Sequence, residues 1–144
     1  MIKFECQQCG HCCQGEPGYV FISPEDIRRI SIYLRLKPKL FLERYARRVN
    51  LPWRCEYSLN EFDDGRCVFF DNGCKIYPAR PVQCSTFPFW PPYLKNVEEF
   101  QKLVRNCPGY GQGKSYNEDE IFEICNVYMR ELMFDSGESR NNNE

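Results

Sequence analysis

Three features of the sequence predict a small α+β domain, mainly helical and metal-stabilised, with one short β-hairpin. Ten cysteines stand among 144 residues, far above ordinary usage. Four stretches repeat apolar residues at helical spacing behind capping residues. The pair Asn72-Gly73 sits between short aromatic and β-branched runs, the sequence mark of a tight hairpin turn. A chain of this length is expected to form one domain, with a core modest enough for bound metal to matter.

The elements follow in order. Ser23 precedes Pro24, Glu25 and Asp26: a capping hydroxyl, a proline where no N–H is needed, and acids that complement the helix dipole. Ile27, Ile30 and Leu34 continue that helix on one face. Pro38 opens a second helix, with Phe41, Leu42, Tyr45, Ala46 and Val49 inward and Arg44, Arg47 and Arg48 outward, which Pro52 ends. Residues 66 to 77 form the hairpin, and a two-residue loop at Asn72-Gly73 pairs Asp71 with Cys74. Residues 87 to 93 carry three prolines and read as an extended aromatic loop. Asn96 with Glu99, and Asn117 with Glu120, have capping-box spacing. Each leads into a helical pattern, Val97, Phe100, Leu103, Val104 and then Ile121, Ile124, Tyr128, Leu132. Residues 135 to 144 contain no apolar side chain and are predicted to be a disordered tail. The metal-binding domain is thus residues 1–134.

The cysteines carry the chemistry. Cys6, Cys9, Cys12 and Cys13 form CQQCGHCC, in which each CxxC step lets two thiolates converge on one ion across a tight turn. Side chains of adjacent residues diverge, so Cys12 and Cys13 serve one ion alike only with difficulty, and the pattern points to two metals or a bridged cluster. Cys67 and Cys74 flank the hairpin turn, Cys84 lies in RPVQC, and Cys107 precedes Pro108-Gly109. Eight thiolates match two tetrahedral four-cysteine zinc sites in number, with the pairing left open. The expected hairpin register would put the Cα atoms of Cys67 and Cys74 about 13 Å apart. On that register the two do not share a mononuclear site.

CQQCGHCC, then CVFFDNGCKIYPARPVQCSTFPF, then NCPGY, resembles the CxxCxxCC family, also called the YkgJ family, whose members are described as zinc- or iron-chelating domains. The resemblance runs from about Cys6 to Gly109. It implies Cys6, Cys9, Cys12, Cys13, Cys67, Cys74, Cys84 and Cys107 as metal ligands, and leaves Cys55 and Cys125 outside the pattern. Cys125 falls on the apolar side of the last helix. His11, the only histidine, lies inside the motif but competes with abundant thiolates. Among the cations near the cysteines, Arg66, Lys75, Arg80 and Arg105, Arg80 is fixed between Ala79 and Pro81 and is the best candidate to steady thiolate charge.

Zinc, as two ions, suits closed thiolate sites. Iron or an iron–sulfur cluster is the alternative, because Cys6, Cys9 and Cys12 repeat the ferredoxin CxxCxxC step and Cys107-Pro108 its distant ligand. No catalytic constellation is visible: Asp63 and Asp64 are explained by the turn before Gly65, and the chain contains no GxGxxG, GxxxxGK or HExxH. Residues 28 to 48 carry eight basic residues against Glu43, which with the aromatic loop raises a zinc-stabilised RNA-binding module as a competing reading. The near-neutral whole, with net charge −1 and an acidic C-terminal third, argues against nucleic acid. No run is long and apolar enough for a bilayer, and Met1 to Phe4 offers no secretory signal. The expectation is a cytoplasmic protein whose partners are metal ions, since thiols stay reduced there.

Overall fold

The computed structural model describes residues 1–9, 19–50 and 57–134. The expected tail, His11, Cys12, Cys13, Pro52 and Cys55 lie outside the described residues. The architecture is α+β and mainly helical. Strand β1 (Ile2–Phe4) pairs antiparallel with β5 (Lys114–Tyr116), while β2 (Phe21–Ile22), β4 (Tyr57–Leu59) and β3 (Ala46–Arg48) form a second antiparallel sheet in that order. The helices are α1 (Pro24–Leu34), α2 (Pro38–Tyr45), the short α3 (Val82–Ser85) and α4 (Pro91–Leu94), α5 (Val97–Val104) and α6 (Glu118–Tyr128), which continues as a π-helical stretch to Phe134. Among the described residues, no helix is long and apolar enough to cross a membrane.

Local signals set the helix starts. The Ser23 hydroxyl accepts from Asp26 N–H while the Asp26 carboxylate accepts from Ser23 N–H, closing a capping box at α1. Asn117 and Glu120 close another at α6, and Asn96 caps α5 by accepting from Glu98 and Glu99. Helix α2 departs from expectation at its other end. It stops at Tyr45, and Ala46–Arg48 extend to pair with Tyr57–Leu59. Sheet pairing overrides the helical spacing that ran on to Val49.

The aromatic run also needs correcting. Pro91 and Pro92 open the one-turn helix α4, since prolines in a first turn sacrifice no intrahelical hydrogen bond. Phe87 and Phe89 are buried.

Three apolar clusters make the core. Ile22, Ile30, Phe41, Leu59, Phe69 and Ile76 build the first, with Cys67 and Cys74 packed at its border. Phe21, Val82, Tyr128 and Leu132 belong to the second. Phe4, Phe87 and Phe89 form the third, bordered by Cys6 and Cys107. Four of the cysteines therefore stand at a junction bordered by the first and third clusters.

Asp26 ties this junction together. It is fully buried, and its Oδ1 accepts from Arg29 Nη2 at 2.6 Å and from the Val82 amide at 3.0 Å. The same Arg29 Nη2 donates to the Arg80 carbonyl at 2.8 Å. One ion pair on α1 thus holds both the Arg80 backbone and the start of α3, which carries Cys84.

Candidate metal centre

Five thiols, those of Cys6, Cys9, Cys74, Cys84 and Cys107, line one cavity of about 70 Å³. They arrive from four parts of the chain: the segment after β1, the hairpin, α3, and the turn after α5. Specific contacts bring them together. Glu5 N–H donates to the Gly109 carbonyl at 3.0 Å and Gly111 N–H to the Lys3 carbonyl at 2.8 Å, laying the Cys6 segment against the Cys107 turn. Gln8 Oε1 accepts from Cys74 N–H at 2.9 Å and ties the same segment to the hairpin. Gln83, beside Cys84, accepts through Oε1 from Phe21 N–H and donates through Nε2 to the Tyr19 carbonyl, both at 2.9 Å. That anchors the chain as it leaves the CQQCGHCC motif.

Gly109 is required by the first of these contacts, because an added Cβ would run into the Glu5 carbonyl. Gly109→Ala is therefore expected to cost about 1–3 kcal/mol through forced separation of two backbone segments. Urea unfolding measures it, and a change within experimental error would show that the segments shift freely.

The turns aim amides at sulfur. Cys6 Sγ accepts from Gln8 N–H at 3.4 Å, Cys67 Sγ from the amides of Phe69 and Phe70, and Cys74 Sγ from the amide of Ile76. Such donors favour thiolate and fix its direction. Burial works harder in the opposite sense: it pushes both the Cys67 and Cys74 thiols up, and each is raised further by a neighbouring cysteine. A bound cation reverses that balance, since it offsets the cost of placing thiolates in a poorly solvated site.

The hairpin differs from its expected register. Asn72 and Gly73 do take positive φ, +56° and +133°, but Phe70, not Asp71, pairs with Cys74, leaving a three-residue loop. Cys67 does not continue that strand. It pairs with Glu61, and Phe70 N–H closes a turn onto the Cys67 carbonyl. The extended geometry behind the 13 Å separation is absent, and the two thiols are near enough for charge on Cys74 to raise Cys67. The argument that kept them on different ions therefore falls.

Arg80 lines the cavity and lowers the Cys74 thiol electrostatically, whereas Arg66, Lys75 and Arg105 do not line it. Arg66 lies over the Phe62 ring and Lys75 pairs with Asp71. Cys125 stands apart, its Sγ donating to the Phe89 carbonyl at 3.5 Å. Among the described residues, no three cysteine, histidine or carboxylate side chains converge tightly enough to hold an ion. Gln8, Gln83 and Asp26 went unread as site-building residues, because glutamines in a polar stretch and an acid in a first helical turn have ordinary local explanations.

Soft thiol donors around one half-buried cavity have the ligand chemistry of a metal-binding domain. The chain belongs to the CxxCxxCC family, whose model, described as "Putative zinc- or iron-chelating domain", matches residues 5–108. The chain is also 28% identical over 148 residues to the uncharacterized protein MJ0661 of Methanocaldococcus jannaschii, an alignment covering 94% of this chain and 74% of that protein. No solved structure matches.

Proposed function

We propose that the chain holds two zinc ions through the thiolates of Cys6, Cys9, Cys12, Cys13, Cys67, Cys74, Cys84 and Cys107, in a reducing, cytoplasmic setting. The observation that carries this is the presence of five of these thiols, from four parts of the chain, around one cavity. Zinc suits a closed thiolate site and contributes folding energy directly. Thiols dominate the polar lining of the cavity, which supports ion binding over a reaction. Iron or an iron–sulfur cluster with a redox role is the alternative, favoured by the CxxCxxC step of Cys6, Cys9 and Cys12. The RNA-binding reading has less support, since two of the aromatics of its stacking loop, Phe87 and Phe89, are buried while Trp90 and Tyr93 are half-buried.

Elemental analysis with a visible spectrum, on protein purified without oxygen, tests the proposal. The expected protein is colourless and carries about two zinc ions per chain. A brown protein with iron and sulfide supports the alternative, and metal-free folded protein removes both.

A further inference from the structure

A second cavity of about 130 Å³ adjoins the thiolate cavity and shares Cys6, Tyr77 and Arg80 with it. Glu5, Ser85 and Lys114 supply its other polar groups. Since a water's share of liquid volume is about 30 Å³, the space suits a ligand of several heavy atoms rather than a lone ion. We propose that this cavity binds a small monocarboxylate gripped by the guanidinium of Arg80.

Arg80 is set for the task. Its Nε donates to the Tyr77 carbonyl at 3.0 Å, its Cζ lies 3.9 Å from the Tyr77 ring centroid, and Arg29 holds its carbonyl. A guanidinium has five N–H donors. Among the described residues only the Nε donor has a hydrogen-bond acceptor, and no carboxylate pairs with the side chain. The remaining fork matches the two oxygens of a carboxylate, and its orientation is fixed before any ligand arrives.

The surroundings of Arg80 select the ligand. Lys114 is already paired with Glu120 at 3.0 Å and lies over the Tyr116 ring. The Glu5 side chain packs on Gly113, and its carboxylate has no partner among the described residues. Glu5 opposes any anion in proportion to its charge, as Arg80 attracts it, so a carboxylate is favoured over hydrogen phosphate by its two-oxygen match to the fork and by the apolar wall. Phe87, Phe89 and Tyr116 give a short hydrocarbon tail an apolar wall.

The site stands on Arg80 and the cavity, not on the metal, so the two proposals can fail separately. Propanoate and phosphate would be titrated into the full chain as purified, with metal content measured on each sample and binding followed by NMR of backbone amides and arginine Nε–H. Saturable propanoate shifts at Arg80, Glu5 and Ser85 are expected, with phosphate several-fold weaker. Arg80→Gln should weaken propanoate about tenfold, and Arg80→Lys, which keeps charge but loses the fork, nearly as much, each compared at its own measured metal content. Glu5→Gln should raise phosphate affinity several-fold. Absence of saturable shifts, affinity untouched in both Arg80 variants, or phosphate binding tighter than propanoate would overturn the proposal.

Discussion

Asp26→Asn is expected to lower the stability of the domain by about 2–3 kcal/mol, roughly the cost of removing one partner from a hydrogen-bonded buried pair whose other member is partly solvated. Asparagine keeps one acceptor but turns an N–H2 group toward a site that must accept from the Ser23 amide, and it leaves Arg29 without its counter-charge. The same change weakens the hold on Arg29, whose Nη2 fixes the Arg80 carbonyl, while the retained oxygen still accepts from the Val82 amide, so Arg80 should loosen more than Cys84. Glu25→Gln is the control. Its pair with Arg28 is exposed on both sides, and such pairs contribute little. Urea unfolding of the two variants against the native chain measures the difference, and equal midpoints would remove Asp26 from its structural role.

The pH dependence carries a sign that can be checked in the same experiment. Burial raises the Asp26 carboxyl above its ordinary value of 3.8, outweighing the donors from Ser23, Arg29 and Val82 that lower it. The folded chain therefore holds this proton more tightly than the unfolded chain does. The proton-linked part of this group's contribution is fully present below about pH 3.8 and is lost as the pH rises through the elevated folded value, while its hydrogen bonds to Ser23, Arg29 and Val82 remain. The stability gap between native chain and variant should narrow across that window as pH increases.

What the sequence reveals, it reveals through local chemistry. Ser23, Asn96 and Asn117 cap helices because their side chains satisfy amides three residues or fewer away, a contact independent of the rest of the fold. Asn72-Gly73 turns for the same reason. The end of α2, the pairing of Phe70 with Cys74 and the placement of Cys67 depend on partners distant in sequence, and strands of two or three residues are too short to show a period. Cysteine spacing names candidate ligands but cannot say that Cys6 reaches Cys107 through Glu5 and Gly109. It is equally silent on Gln8, which bridges Cys6 and Cys74 only once both are in place. Of the eight proposed ligands, Cys12 and Cys13 lie outside the described residues, and of the other six, five line the cavity while Cys67 does not.

Removing metal with a strong chelator under reducing conditions is expected to unfold the domain. A structural zinc site contributes on the order of 10 kcal/mol or more, as much as the entire stability of a typical domain. The fold gives that number a mechanism here. Cys67 and Cys74 border one apolar cluster, Cys6 and Cys107 border another, and Cys84 rides on the helix whose Val82 packs in a third. An ion that gathers these sulfurs would add to the direct links between the clusters, which include Trp90 packed between the second and third and the neighbouring residues Phe21 and Ile22 in the second and first. Without it, thiols already raised by burial stay protonated and the added links are lost. Circular dichroism should show helix loss on chelation, recovered on returning zinc. Cys6→Ser or Cys84→Ser should reproduce part of that loss together with lowered metal content, while Cys125→Ser, which removes only a weak contact to the Phe89 carbonyl, should cost about 1 kcal/mol or less and keep the full complement. An apo protein with an unchanged spectrum and unfolding midpoint would mean that the three clusters hold one another directly and that any ion in the cavity is cargo rather than part of the fold.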